Sequence, residues 1–210
     1  MFKKNVSESR NIVAIGTTAG RSARATRAIP LVAVTLVLWG TGRIAAAGAP
    51  AFAPLSAAPK TVTRAAVDAA AKAATRGVVS SDRKTIAFTG RSVRLVIGTG
   101  PDTDMLSYRI GGLRNPTLIV PAGAALRILF VNHDEDMKHN VRFTADRPPF
   151  APTPDVRRSI GAPELAPRTA TALHAEELVL RAPAKPGNYS YLCTVRGHAK
   201  GGMYGALIVR

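Results

Sequence analysis

Residues 191–210 read YLCTVRGHAKGGMYGALIVR. Cys193, His198 and Met203 place a thiol, an imidazole and a thioether in the spacing C-x4-H-x4-M, between two runs that alternate like strands. A loop can turn all three side chains toward one point only if it folds sharply back. Gly197, Gly201 and Gly202 permit that turn. A thiolate with two imidazoles and a weak axial thioether is the donor set that selects copper and suits it to electron transfer. Taken singly, each residue has a plainer reading: a lone cysteine at a strand end is usually a small buried hydrophobe, and Met203 alone reads as core. The spacing joins them. A cysteine paired with histidine also suits a thiol hydrolase, but the chain shows no oxyanion-hole motif.

A second imidazole must come from elsewhere in the chain. His139 is the best candidate, because His139-Asn140-Val141 opens a strand after the loop 132–138, and Asn140 is placed to brace the ligand loop by hydrogen bonding. His133 opens the acidic run His133-Asp-Glu-Asp136 and reads as solvated, while His174 lies in a strand with no donor near it in sequence.

Working back from the loop, Pro186-Gly187 turns the chain into 188–193, where Tyr189, Tyr191 and Cys193 share one face by the period of two. Eight further short runs are bounded by Gly, Pro or Asp: 85–88, 92–97, 105–110, 117–120, 125–132, 140–144, 172–181 and 204–209. Nine strands of this kind predict an all-β sandwich or barrel. The stretch 147–168 holds six prolines and is expected to be a long loop over one end or edge. Residues 61–76, TVTRAAVDAAAKAATR, predict one short amphipathic helix with Val62, Ala66, Ala69 and Ala73 on its apolar face and Gly77 as its stop. Residues 48–60, GAPAFAPLSAAPK, are Ala/Pro-rich and read as a linker.

The N-terminal 47 residues carry seven cations against Glu8, then the uncharged run IPLVAVTLVLW at 29–39 and the small residues of 45–49. This is the pattern of a secretory leader, or of an uncleaved N-terminal anchor. It predicts a periplasmic or extracytoplasmic protein.

Composition narrows the function further. The 210 residues hold 29 Lys and Arg against 13 Asp and Glu, a net charge of +16, yet only 5% are aromatic. A binder of single strands needs aromatics among its cations, and outside the leader no basic run exceeds two residues, so nucleic acid is not expected as a partner. One cysteine excludes an internal disulfide framework and any zinc site built on two or four thiolates. Four histidines are too few for a second, multi-copper cluster, so an enzyme is not expected.

The loop 191–210 resembles the copper-ligand loop of the cupredoxins, the small blue copper proteins. The resemblance extends in matching order through the helical segment 61–76, Asn115-Pro116-Thr-Leu-Ile-Val-Pro121-Ala-Gly123, Pro148-Pro149-Phe150-Ala-Pro-Thr-Pro154 and Pro186-Gly187-Asn-Tyr-Ser-Tyr. It covers residues 61–210 and implies a Greek-key β-sandwich with a short N-terminal helical extension (61–84), binding one type I copper ion. It implies His139, Cys193 and His198 as the strong ligands and Met203 as the axial one. It also implies a monomer that carries single electrons between redox proteins such as a c-type cytochrome or a terminal oxidase. Arg196 departs from the family, which usually has Pro-Gly-His where this chain has Arg196-Gly197-His198. Losing that proline could loosen the loop and keeps open an alternative, a protein that stores or delivers copper. Asn140, after the first histidine, is the residue of azurin-like members.

Overall fold

The computed structural model describes residues 52–56 and 59–210; the expected leader and the first part of the expected linker lie outside the described residues. In chain order the elements are β1 (Ala53–Ser56), β2 (Pro59–Val62), α1 (Arg64–Lys72), β3 (Val78–Val79), β4 (Thr85–Ala87), β5 (Ser92–Thr99), β6 (Tyr108–Ile110), β7 (Leu113–Arg114), β8 (Thr117–Val120) and β9 (Ala125–Asn132). They continue with β10 (Arg142–Thr144), β11 (Ser159–Gly161), β12 (Leu173–Arg181), β13 (Gly187–Leu192) and β14 (Tyr204–Val209). One sheet runs β1-β12-β9-β5-β6-β7, with β2 also paired to β12. The other runs β11-β10-β13-β14-β8-β4-β3. The chain changes sheet repeatedly, and β5 with β9, β4 with β8 and β8 with β14 are parallel neighbours. The result is the expected Greek-key sandwich, not a closed barrel.

Period-two patterning explains how the layers meet. Val93, Leu95 and Ile97 of β5, Leu126, Ile128 and Phe130 of β9, and Leu178 and Leu180 of β12 pack with Leu118, Phe143, Tyr191, Leu207 and Val209 of the second sheet. Tyr191 and Cys193 enter this same core, with Tyr189 half-buried at its margin, as their shared face requires.

All nine expected strands are present. Two begin more than one residue late: the first only at Tyr108, after a 3-10 turn over Asp102–Asp104, and the other at Arg142. The second shortening has a visible cause. The Asn140 carbonyl accepts from the Tyr108 hydroxyl at 2.5 Å instead of joining a ladder.

Three expectations are corrected. The Ala/Pro-rich stretch 48–60 is not simply a linker: β1 and the start of β2 lie in it, pairing along the edge of β12, where proline's missing N–H is tolerated. Phe52 just before them is buried against Phe143 and Tyr189, at 5.6 Å from each ring. The helix is shorter than 61–76, with Thr63 as its cap. Its inward face is Val67 with half-buried Ala70, while Ala66, Ala69 and the C-cap Ala73 are exposed. In an alanine-rich helix the single larger apolar side chain decides which way the helix turns. Finally, the proline-rich stretch 147–168 is not wholly irregular, since β11 within it pairs with β10.

Candidate metal centre

The site lies at one end of the sandwich, where β13 ends and the chain loops back to β14. Cys193 follows β13, and its backbone N–H donates to the Met203 carbonyl at 3.1 Å, closing the base of the loop. Within it the N–H of Gly201 donates to the Gly197 carbonyl at 2.8 Å, and that of Met203 to the His198 carbonyl at 3.0 Å. Gly197 (φ 87°) and Gly202 (φ 107°) take the left-handed backbone that this fold-back requires. Cys193, His198 and Met203 are thereby held on one folded-back loop.

His139 comes from the other direction. Its strand-like backbone exchanges hydrogen bonds with Leu165, at the end of the proline-rich stretch. His139, Cys193 and His198 are buried, and their donor atoms lie within 4.8 Å of one another. His139 Nδ1 is 3.2 Å from Met203 Sδ, and Cys193 Sγ is 3.5 Å from His198 Nδ1. The structure thus brings together all four residues named from the sequence. His139 is fully enclosed, whereas His198 retains 8% exposure and is the imidazole nearest solvent.

Burial sets the protonation of the metal-free group. It pushes the Cys193 thiol up to about 11 and both imidazoles below their usual range. For His139 the nearby Asp134 works against that lowering; for His198 the neighbouring His139 adds to it. At neutral pH the pocket therefore holds neutral imidazoles and a neutral thiol, so a metal that takes the thiolate displaces one proton.

The surroundings fix these side chains. Asn140 Nδ2 donates to Thr194 Oγ1 and Asn140 Oδ1 accepts from the Thr194 N–H, both at 2.8 Å. This is the brace expected of Asn140. Asn115, held in a positive φ of 42°, accepts from the Tyr108 N–H at 2.7 Å and donates to the Gly202 carbonyl at 2.9 Å. From outside, the N–H of Gly197 donates to the Pro152 carbonyl at 2.7 Å, and Phe150 stacks edge-on to Tyr204 at 5.1 Å. The proline-rich stretch thus covers the loop.

His133 and His174 stay outside the group, as expected, but the acidic run 133–136 is not uniformly solvated. His133 is half-buried and Asp134 is 2% exposed, with Oδ2 3.2 Å from His139 Nε2. Burial would raise the Asp134 carboxyl, but the N–H groups of Asp136 and Met137 and the His139 ring outweigh it and hold it below the usual range. Asp134, Thr194, Tyr108 and Asn115 are thus site residues that the spacing argument missed. The N–H groups two and three positions on that bond to Asp134 Oδ1 make an Asx turn, which only the structure shows.

A two-sheet Greek-key sandwich with a buried His-Cys-His group and an apposed methionine at the end of its strands defines a cupredoxin. The sequence motifs are most similar to those of rusticyanin, then of sulfocyanin, and comparison with known proteins supports the first. No family model matches the chain. Rusticyanin of Acidithiobacillus ferrooxidans is 30% identical over 135 residues, covering 64% of this chain and 85% of that protein. Rusticyanin of Acidithiobacillus ferridurans is 30% identical over 135 residues, covering 64% of this chain and 71% of that protein. A solved rusticyanin from Thiobacillus ferrooxidans superposes with a TM-score of 0.67 at 27% identity, covering 74% of this chain and 99% of that one. The chain belongs to the rusticyanin family. It is a blue copper protein whose His139, Cys193 and His198 cluster can bind one type I copper ion.

Proposed function

We propose that this protein carries single electrons, with His139, Cys193 and His198 as the strong ligands of one copper ion and Met203 as its axial ligand. Bound there, copper supplies a one-electron Cu(II)/Cu(I) couple. The chain's own residues do the rest. Cys193 gives up its thiol proton on binding, and the two imidazoles, already neutral, need lose none. Asn140, Asn115 and Pro152 hold the loop from three directions, so the donors need move little between oxidation states. Burial of all four residues keeps water from the centre. The observation that carries the reading is this convergence of buried donors fixed by side chains of several elements. Those ties also weigh against a store or carrier of exchangeable copper, because the loop lacking its proline is secured by the Gly197–Pro152 hydrogen bond instead.

His198, as the ligand nearest solvent, is the natural port for electrons, and exposed Arg196 and Lys200 flank it. An acidic surface on a c-type cytochrome or a terminal oxidase fits that port by charge. The leader-like N-terminus supports a periplasmic protein working between such partners. Among the described residues no helix is long and apolar enough to cross a membrane. The test is the visible spectrum of the protein titrated with Cu(II), beside Cys193→Ser. Intense colour at one copper per chain, bleached by ascorbate and lost in the variant, is expected. A colourless complex, or copper exchanging freely with a chelator, would overturn the carrier reading.

A further inference from the structure

Asp134 is a buried carboxylate behind a ligand ring, and nearly all of its polar atoms are engaged. Oδ1 accepts from the N–H of Asp136 and of Met137, each at 2.8 Å. The Asp134 N–H donates to Asn132 Oδ1 at 3.0 Å, and its carbonyl accepts from the Arg168 N–H at 2.8 Å. Asn132 is itself pinned, donating through Nδ2 to the carbonyls of Met137 and Ala166 at 2.9 Å. The remaining carboxylate oxygen, Oδ2, faces His139 Nε2 at 3.2 Å, and the two side chains are 2% and 0% exposed. The guanidinium of Arg168 is engaged elsewhere, with Glu135 and the His133 carbonyl.

On the copper reading above, on which this inference rests, we propose that Asp134 is a positioning residue that fixes the His139 tautomer and lowers the reduction potential of the centre. The reasoning has two steps. A carboxylate acceptor at Nε2 keeps the proton there, which leaves the Nδ1 lone pair free toward Cys193, His198 and Met203. A neutral acceptor would do as much. The carboxylate adds a negative charge behind the ring, buried where solvent screens it poorly, and that charge favours the more positive Cu(II) state over Cu(I). Nothing in the spacing of the four donors calls for this charge; it belongs to the loop 133–138 of this chain.

Asp134→Asn tests the charge while keeping the side chain's size. Its potential, read by titration against redox dyes, is expected to rise. The preference for Cu(I) over Cu(II) should grow at least tenfold, about 59 mV for one electron, with the blue colour retained. A blue Asp134→Asn protein whose potential is unchanged or lower would overturn the proposal. Should the variant not fold or not take up copper, the wild-type chain still decides the tautomer, the step on which the rest of the argument stands. Nitrogen-15 NMR of the metal-free protein is expected to show His139 protonated at Nε2, and a ring protonated at Nδ1 would sink the idea. Failure of the wild-type protein to colour with Cu(II) counts against the copper reading instead, and the ring tautomer remains a separate answer.

Discussion

Asn140 makes two hydrogen bonds to one residue, Thr194, and these tie the segment carrying His139 to the loop carrying Cys193 and His198. Both partners are buried. Replacing Asn140 with alanine removes two bonds and leaves the Thr194 N–H without an acceptor, a loss of roughly 2–4 kcal/mol. Urea unfolding of the metal-free protein should show it as a lower midpoint with an unchanged slope. Wild-type stability in the variant would mean that the clamp positions nothing. The sequence made Asn140 legible because it adjoins a candidate ligand. Asp134 was not legible, because an acidic run looks solvated until the Asx turn and the ring beside it are seen. Tyr108 and Asn115 were hidden for another reason, lying far from the ligand loop in sequence and meeting it only through the fold.

Elements, like residues, were legible where chemistry repeats. β5, β9 and β12 alternate apolar side chains against a core and could be read directly, as could the turn into β13. β1, β2 and β11 hold their places by backbone pairing at sheet edges, which leaves no periodic trace in the side chains. The helix existed in the sequence, but its face did not, because alanine carries too little apolar area to choose one. Two glycines near the ligand loop illustrate the same distinction between backbone and side-chain demands. Gly197 has φ 87° and open space where a methyl would stand, whereas a methyl at Gly205 would lie 2.2 Å from the Tyr191 ring. Gly197→Ala should therefore cost only the backbone strain, about 1–2 kcal/mol, and Gly197→Asn less, since asparagine tolerates that conformation. Gly205→Ala must displace a ring whose hydroxyl is bonded to the Pro116 carbonyl at 2.6 Å, and it should cost more than Gly197→Ala. Thermal unfolding of the three metal-free variants tests the order; equal losses would refute it.

Over the whole molecule, carboxyl groups shifted by the fold join the lowered His139 and His198 imidazoles in setting how stability follows pH. Asp104, held low chiefly by its bond to Arg114, and Asp134 contribute stability above their unfolded range and lose it as pH falls. Glu176 acts the other way. It faces the interior from β12 at 2% exposure, and its Oε2 has no hydrogen-bond partner among the described residues. Burial raises its carboxyl above the ordinary value of 4.5, with the Arg142 charge opposing. A raised acid is protonated in the folded chain where the unfolded chain has already lost its proton. Its contribution is therefore complete below about 4.5 and is lost as pH rises through the folded value. In that window Glu176 lowers stability with a slope of up to about 1.4 kcal/mol per pH unit, so this group alone makes the fold firmer in acid than at neutrality. Glu176→Gln keeps the shape and removes the titration. Urea unfolding of metal-free wild type and variant from pH 4 to 7 should give similar stabilities at the acid end and a more stable variant at the neutral end. Parallel curves across that range would show that the Glu176 carboxylate is not penalised by its burial.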